Sequence, residues 1–438
     1  MNTTKVKLFA LIVISAALLL AFSLKNTPIP KKKKMPFVPP KGCVFRTVMG
    51  EESSLNHANY KTPEKVVASI DHALSWMAKA QNKNGGWGAG SHSYQNVRDP
   101  HAVQTDPATT AMVAMALLRS GTTLSHGEYK QQLRNALMHL VEAVENASED
   151  QLNITNLTGT QIQTKLGANI DVILTSQFLS NVVEYASDDE HLTNRIKNAQ
   201  NVCIQKIQRA QSEDGSMAGS GWAGVLQSSF ASNALEAAEA QGVAVDRSVL
   251  EKAREFQKNN YNAKTGDVNT EKGAGIVLYS VTGSARASAK EARKVEEEIR
   301  RAKREGRIAQ NAPASVETLQ EIGYEEDEAL KYSTAYEVYQ SAKSRAQQDD
   351  VMQGFGNNGG EEFLSYLQTG ESMIINKDDE WQKWYDNMSG RLLKIQNEDG
   401  SWNGHHCITS PVFCTATCLL ILAVNNDVEN LMKMGEIR

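Results

Sequence analysis

The stretch that decides the fold is Gln396-Asn397-Glu398-Asp399-Gly400-Ser401-Trp402, which comes after a segment with helical apolar spacing. It occurs twice more in close form, as Gln81-Asn82-Lys83-Asn84-Gly85-Gly86-Trp87 and as Gln211-Ser212-Glu213-Asp214-Gly215-Ser216-Met217. A looser version starts at Gln257 and reaches Gly266-Asp267. A polar residue ending a helix, then Asn/Asp-Gly, spells a helix stop and a tight turn. Upstream of the first copy, Val67, Ile70, Ala73, Leu74 and Met77 recur at the helical period.

The segments downstream of the turns are alike as well. Asp106-Pro107-Ala108-Thr109-Thr110-Ala111 has Asp at the N-cap and Pro at the first helical position, and the apolar run then continues to Leu118. Ser228 to Leu235 and Ser410-Pro411 to Ile421 repeat that opening. These segments are apolar nearly all round and rich in small residues, as expected of helices buried between layers. The unit is therefore an outer helix, a turn and an inner helix. Such hairpins cannot bury their faces alone and must stack, into an open solenoid or a closed ring.

The Gln-x-x-x-Gly-x-Trp turns resemble the QW repeats of squalene/hopene cyclases and the related repeats of protein prenyltransferase β subunits. Gln81 to Trp87 and Gln396 to Trp402 match well, Gln211 to Met217 matches with Met in place of Trp, and Gln257 onward matches weakly. The resemblance runs over residues 61–438 and implies an all-α fold, an α/α toroid: a closed ring of helical hairpins around a central cavity. It also implies that the Trp residues tie outer helices together, away from any chemistry.

The 438 residues carry 46 Lys+Arg against 51 Asp+Glu, a net charge of −5, so nothing global attracts a polyanion and no nucleic-acid partner is expected. Five cysteines in a chain this long do not make a disulfide scaffold. Residues 1–25 read as a signal peptide or membrane anchor, because Lys5 and Lys7 precede the uncharged run Leu8 to Leu24. Residues 26–60, with five prolines before Lys41 and the run Lys31 to Lys34, read as an extended spacer. The lysine run favours a cytoplasmic body. The basic start favours export, and an exported or membrane-anchored, extracytoplasmic body is the reading taken. The toroid domain then spans 61–438, with a charged, solvent-exposed helical insertion at about 284–320, where Lys290 to Arg304 bears charge on almost every side.

Chemistry has to be argued from a site, not from a fold. The resemblance implies an Asp-x-Asp-Asp-Thr-Ala acid at the head of an inner helix. Here only Asp106 survives, with Ala108 and Thr109 in place of the following acids, so Asp106 reads as an N-cap before it reads as a proton donor. Carbocations are stabilised by ring faces, yet aromatic residues make up only 6% of the chain. The prenyltransferase side of the resemblance implies zinc held by Asp, Cys and His; the candidates are His405, His406 and Cys407, consecutive positions that converge on one metal only in an unusual loop. Cys414 and Cys418 read as buried thiols, with a disulfide to Cys407 as the alternative in an exported protein. Gly354 to Phe363, with Glu361 and Glu362, reads as a degenerate turn ahead of a helix, or as a loop presenting carboxylates to a ligand. Candidate cavity residues are Asp106, Thr110, Ser228, Ser410 and Phe413. No cofactor is expected. The function expected is a non-catalytic binding or scaffold module with an apolar, isoprenoid or protein partner; the alternative is an isoprenoid-handling enzyme with atypical catalytic residues.

Overall fold

The computed structural model describes residues 60–356 and 359–427, together with Leu431 and Met434. The chain divides into two units, Met1–Glu51 and Glu52–Arg438, and the described residues all lie in the second. The leader, nearly all of the spacer, and Cys43 therefore fall outside them. Among the described residues no helix is long and apolar enough to cross a membrane.

Among the described residues twelve long helices alternate between an outer and an inner layer. The outer set is α1 (Glu64–Lys79), α3 (Lys130–Glu145), α5 (Glu190–Arg209), α7 (Arg247–Lys258), α9 (Glu326–Ala346) and α11 (Trp381–Lys394). The inner set is α2 (Pro107–Arg119), α4 (Ile170–Val182), α6 (Gly224–Ala240), α8 (Val277–Arg304), α10 (Gly360–Asn376) and α12 (Pro411–Leu422). Each inner helix packs against the inner helix before it and the one after it, and α12 packs on α2. Each outer helix sits against the inner helix that precedes it, and α1 sits against α12. The ring is closed. Burial reflects this arrangement: α12 is buried along its whole length and α2 from Pro107 to Leu117, whereas outer helices bury one stripe, as α1 does with Val66, Ala73, Leu74 and Met77.

The repeated turns are the clasps of the ring. Gln81 Nε2 donates to the Gly85 carbonyl of its own turn and to the Gln132 carbonyl of α3, at 2.8 and 2.9 Å. Gln211 does the same toward Val249 of α7. Gln396 does it toward Ser69 of α1, which returns its own hydroxyl to Gln396 Oε1 at 2.7 Å, so the turn after the last outer helix is tied to the first. Gln257, the loose copy, reaches only the Val225 carbonyl of α6. Gly215 and Gly400 sit at φ of +87° and +93°, and an added Cβ would lie 2.2 Å from the Lys252 carbonyl and 2.9 Å from that of His72. Handedness and close approach both require glycine there. Trp87 and Trp402 are fully buried, and their indoles donate to the Met77 and Leu392 carbonyls of the preceding outer helices.

Two expectations change. α6 begins at Gly224, which leaves Ser228 in its second turn and not at its opening. The charged segment is no solvated insertion: it continues the inner helix α8, with Ala285, Ala289, Ala292, Val295, Ile299 and Ala302 buried. Those residues recur every three or four positions, a stripe that the flanking charges conceal. Its far end joins Ile308, Leu319 and Ala329 in a small second core beside the ring.

Candidate functional site

Inner helices separated by single outer helices run parallel, so their N-termini gather at one end of the ring. Four buried carboxylates lie there, served by backbone N–H groups at helix starts. Asp106 caps α2: its carboxylate accepts from Thr109 N (2.7 Å), Thr109 Oγ1 (2.9 Å) and Ala89 N (2.8 Å). Asp171 of α4 accepts from Ala108 N (3.0 Å) and Gln163 Nε2 (2.7 Å). Burial, and then the charge of Asp171, push Asp106 up to about 7, and burial raises Asp171 as well. Asp171 was not legible as a partner, since a lone Asp two residues into an apolar segment looks like an ordinary first-turn acid.

The second pair is Glu361 and Glu362 at the start of α10. The loop reading of Gly354 to Phe363 gives way to the helical one, but the carboxylates are buried and not presented to solvent. Glu362 accepts from Gly359 N, Phe355 N and the Tyr279 hydroxyl at 2.9, 3.0 and 2.7 Å. Glu361 accepts from Ile408 N at 3.3 Å, and burial with Glu362 alongside raises it to about 7. Lys165, 3% exposed, holds its ammonium 3.9 Å from the ring centre of Trp222. Cys407, at a left-handed φ of +57°, feels both Glu361 and Lys165; burial and Glu361 push its thiol up to about 11, so it is not a thiolate at neutral pH.

The remaining sequence candidates scatter. The Thr110 hydroxyl bonds both backbone groups of Trp87, and Thr415 does the same for Trp402. Ser228 Oγ accepts from Met217 N, completing the third copy of that contact. Ser410 caps α12, and Phe413 is wholly buried in it. These residues hold turns and helix starts. His405 is exposed, and His406 lies against Phe355 with ring centres 5.1 Å apart. Among the described residues no three His, Cys, Asp or Glu side chains are placed to share a metal ion, so His405, His406 and Cys407 do not form the zinc set. Cys407, Cys414 and Cys418 are all free thiols, which removes the disulfide alternative.

Residues 47–160 match the family model of the squalene-hopene cyclase C-terminal domain. The match covers about a quarter of the chain, and over that stretch the chain is similar to squalene-hopene cyclases. Among solved structures it is similar to the type II terpene cyclase MstE from Scytonema without ligand, at 13% identity and a TM-score of 0.44 over 83% of this chain and 98% of that one. It is equally similar to a variant of that enzyme in complex with its product merosterolic acid A, at 13% identity and a TM-score of 0.44 over 84% and 98%. No curated protein matches it.

Glu361 gives the mouth of the ring a pH signature. Its folded carboxyl holds a proton that the unfolded chain gives up near 4.5. Stability from this group is therefore full below about 4.5 and is lost as the pH rises to about 7. At about 1.4 kcal/mol per tenfold in proton affinity, the loss is on the order of 3 kcal/mol. Asp106 acts in the same direction, whereas Glu236 and Asp214, both held at about 2, act only at lower pH. Urea unfolding between pH 5 and 7.5 is expected to show a declining midpoint that is shallower in Glu361→Gln; identical slopes would refute the assignment.

Proposed function

We propose that this ring is an exported or membrane-tethered binding or scaffold module that does not cyclise polyenes. The observation that supports it is the state of Asp106. A carboxyl that accepts two backbone N–H bonds and a threonine hydroxyl while capping a helix is committed to the helix start, and Ala108 and Thr109 stand where the two acids of a proton-donating motif would be. The low aromatic content agrees, since a cation-guiding cavity needs ring faces. Tethering or export rests on the sequence of Leu8 to Leu24 alone. The partner in this reading is an apolar or isoprenoid ligand, or a protein.

Asn caps helices nearly as well as Asp. Asp106→Asn is therefore expected to keep the fold, read by circular dichroism and melting, together with the cellular role of the protein. An intact fold with the role abolished would overturn the reading. One observation favours the alternative, an isoprenoid-handling enzyme with an atypical acid: Asp106 and Glu361, both raised to about 7, the latter interacting with Cys407 and Lys165, have the poise of general acids.

A further inference from the structure

Deeper along the inner helices the ring is lined by polar groups. α6 carries Ser229, Asn233 and Glu236 on successive turns. Ser229 Oγ donates to Gln368 Oε1 of α10 at 2.8 Å, and Gly283 of α8 lies against the same serine. One turn further along α8, Arg286 Nη1 donates to Glu236 Oε2 at 2.9 Å. Three inner helices thus meet within about two turns of one another. Asn169 N, at the N-cap of α4, donates to Gln227 Oε1 of α6, which brings Thr175 level with Asn233, each six residues further along the chain.

The polar groups at this meeting point are not all paired. Gln368 Nε2, Asn233 Nδ2, and Arg286 Nε and Nη2 have no hydrogen-bond partner, and neither do the hydroxyls of Ser288 and Thr175. All five residues are at most 2% exposed. Folded proteins rarely strand buried donors in this way, and never cheaply. The four unmet nitrogens are donors, against one unmet acceptor nearby, Gln257 Oε1 beside Gly283. Charge points the same way. Glu236 is the shared carboxylate of Arg254 and Arg286, at 2.7 and 2.9 Å, and Lys290 bears on it as well. Glu291 and Glu239 also bear on Arg254, and Glu239 on Lys290, but their own ion pairs are with Lys258 and Lys331 and with Arg247; Glu371 pairs with Arg119.

We propose that the centre of the ring, where α6, α8 and α10 meet, binds a small acceptor-rich anion, a carboxylate or a phosphate, gripped by Arg286 with Asn233 and Gln368 donating beside it. An anion supplies lone pairs to the four unmet donors, two of them on the Arg286 guanidinium. This assigns the binding module a ligand class and rests on that reading. The two fail separately: turnover of an isoprenoid would sink the module while leaving anion binding intact, and loss of anion binding would leave the module with other ligands.

The test is thermal unfolding of the full chain in inorganic phosphate and in acetate, each against chloride at matched pH and ionic strength. Native mass spectrometry of the purified protein accompanies it. Phosphate or acetate, but not chloride, is expected to raise the melting temperature saturably, corresponding to about a hundred-fold shift of the folding equilibrium at a hundred times the dissociation constant. Which of the two acts identifies the ligand chemistry. Asn233→Leu is expected to abolish the response; Gln368→Met serves if that variant does not fold. An equal melting temperature in all three salts, with Asn233→Leu more stable than the parent, would mean that the donors are merely unmet, and would overturn the proposal. A response unchanged in both variants would place the anion elsewhere and overturn it too.

Discussion

Trp402→Ala is expected to destabilise the ring by about 3–5 kcal/mol, the range for emptying a fully buried aromatic site. Trp402 is buried completely, its indole donates to the Leu392 carbonyl at 2.9 Å, and its backbone N–H donates to Thr415 Oγ1 at 2.8 Å. The cavity would open beside Gln396, the clasp that joins α11 to α1, where no further hairpin can take up the slack. Urea unfolding monitored by far-ultraviolet circular dichroism measures it. A loss below about 1 kcal/mol would mean that the turn is held by its backbone alone.

Glu236→Gln is expected to cost as much, about 3–5 kcal/mol, for a different reason. Burial by itself would raise this carboxyl; Arg254, Arg286 and Lys290 outweigh that and hold it at about 2. Neutralising it leaves Arg286, 2% exposed, without its counter-charge, and an uncompensated buried charge is far costlier than the pair is beneficial. The double replacement Glu236→Leu with Arg286→Met removes both charges and is expected to recover most of the loss. Equal stabilities of Glu236→Gln and the parent would show that solvent reaches the pair.

The sequence carried the clasps because three constraints coincide in each. Only glycine tolerates the φ of Gly215 and Gly400 and the carbonyls that face them. A glutamine that must reach two carbonyls has few substitutes, and an indole filling the turn has fewer still. Asp106 as an N-cap was legible for the same reason, since Asp-Pro before an apolar run has one local meaning. Other features were hidden. The buried stripe of α8 was masked by Lys and Glu whose stems lie along the surface while their charges reach water. The mouth of the ring was illegible because Lys165, Tyr279, Glu361 and Cys407 come from four separate segments brought together only by ring closure. No local pattern announces Asn233 or Gln368, which look like polar interruptions in otherwise apolar helices.

The central proposal, a closed helical ring that binds without cyclising, is tested most directly by turnover. Purified full-length protein incubated with squalene, and separately with prenyl diphosphates, is predicted to return the substrates unchanged by mass spectrometry. A cyclised or transferred product that forms with the parent and disappears in Asp106→Asn or Glu361→Gln would contradict it.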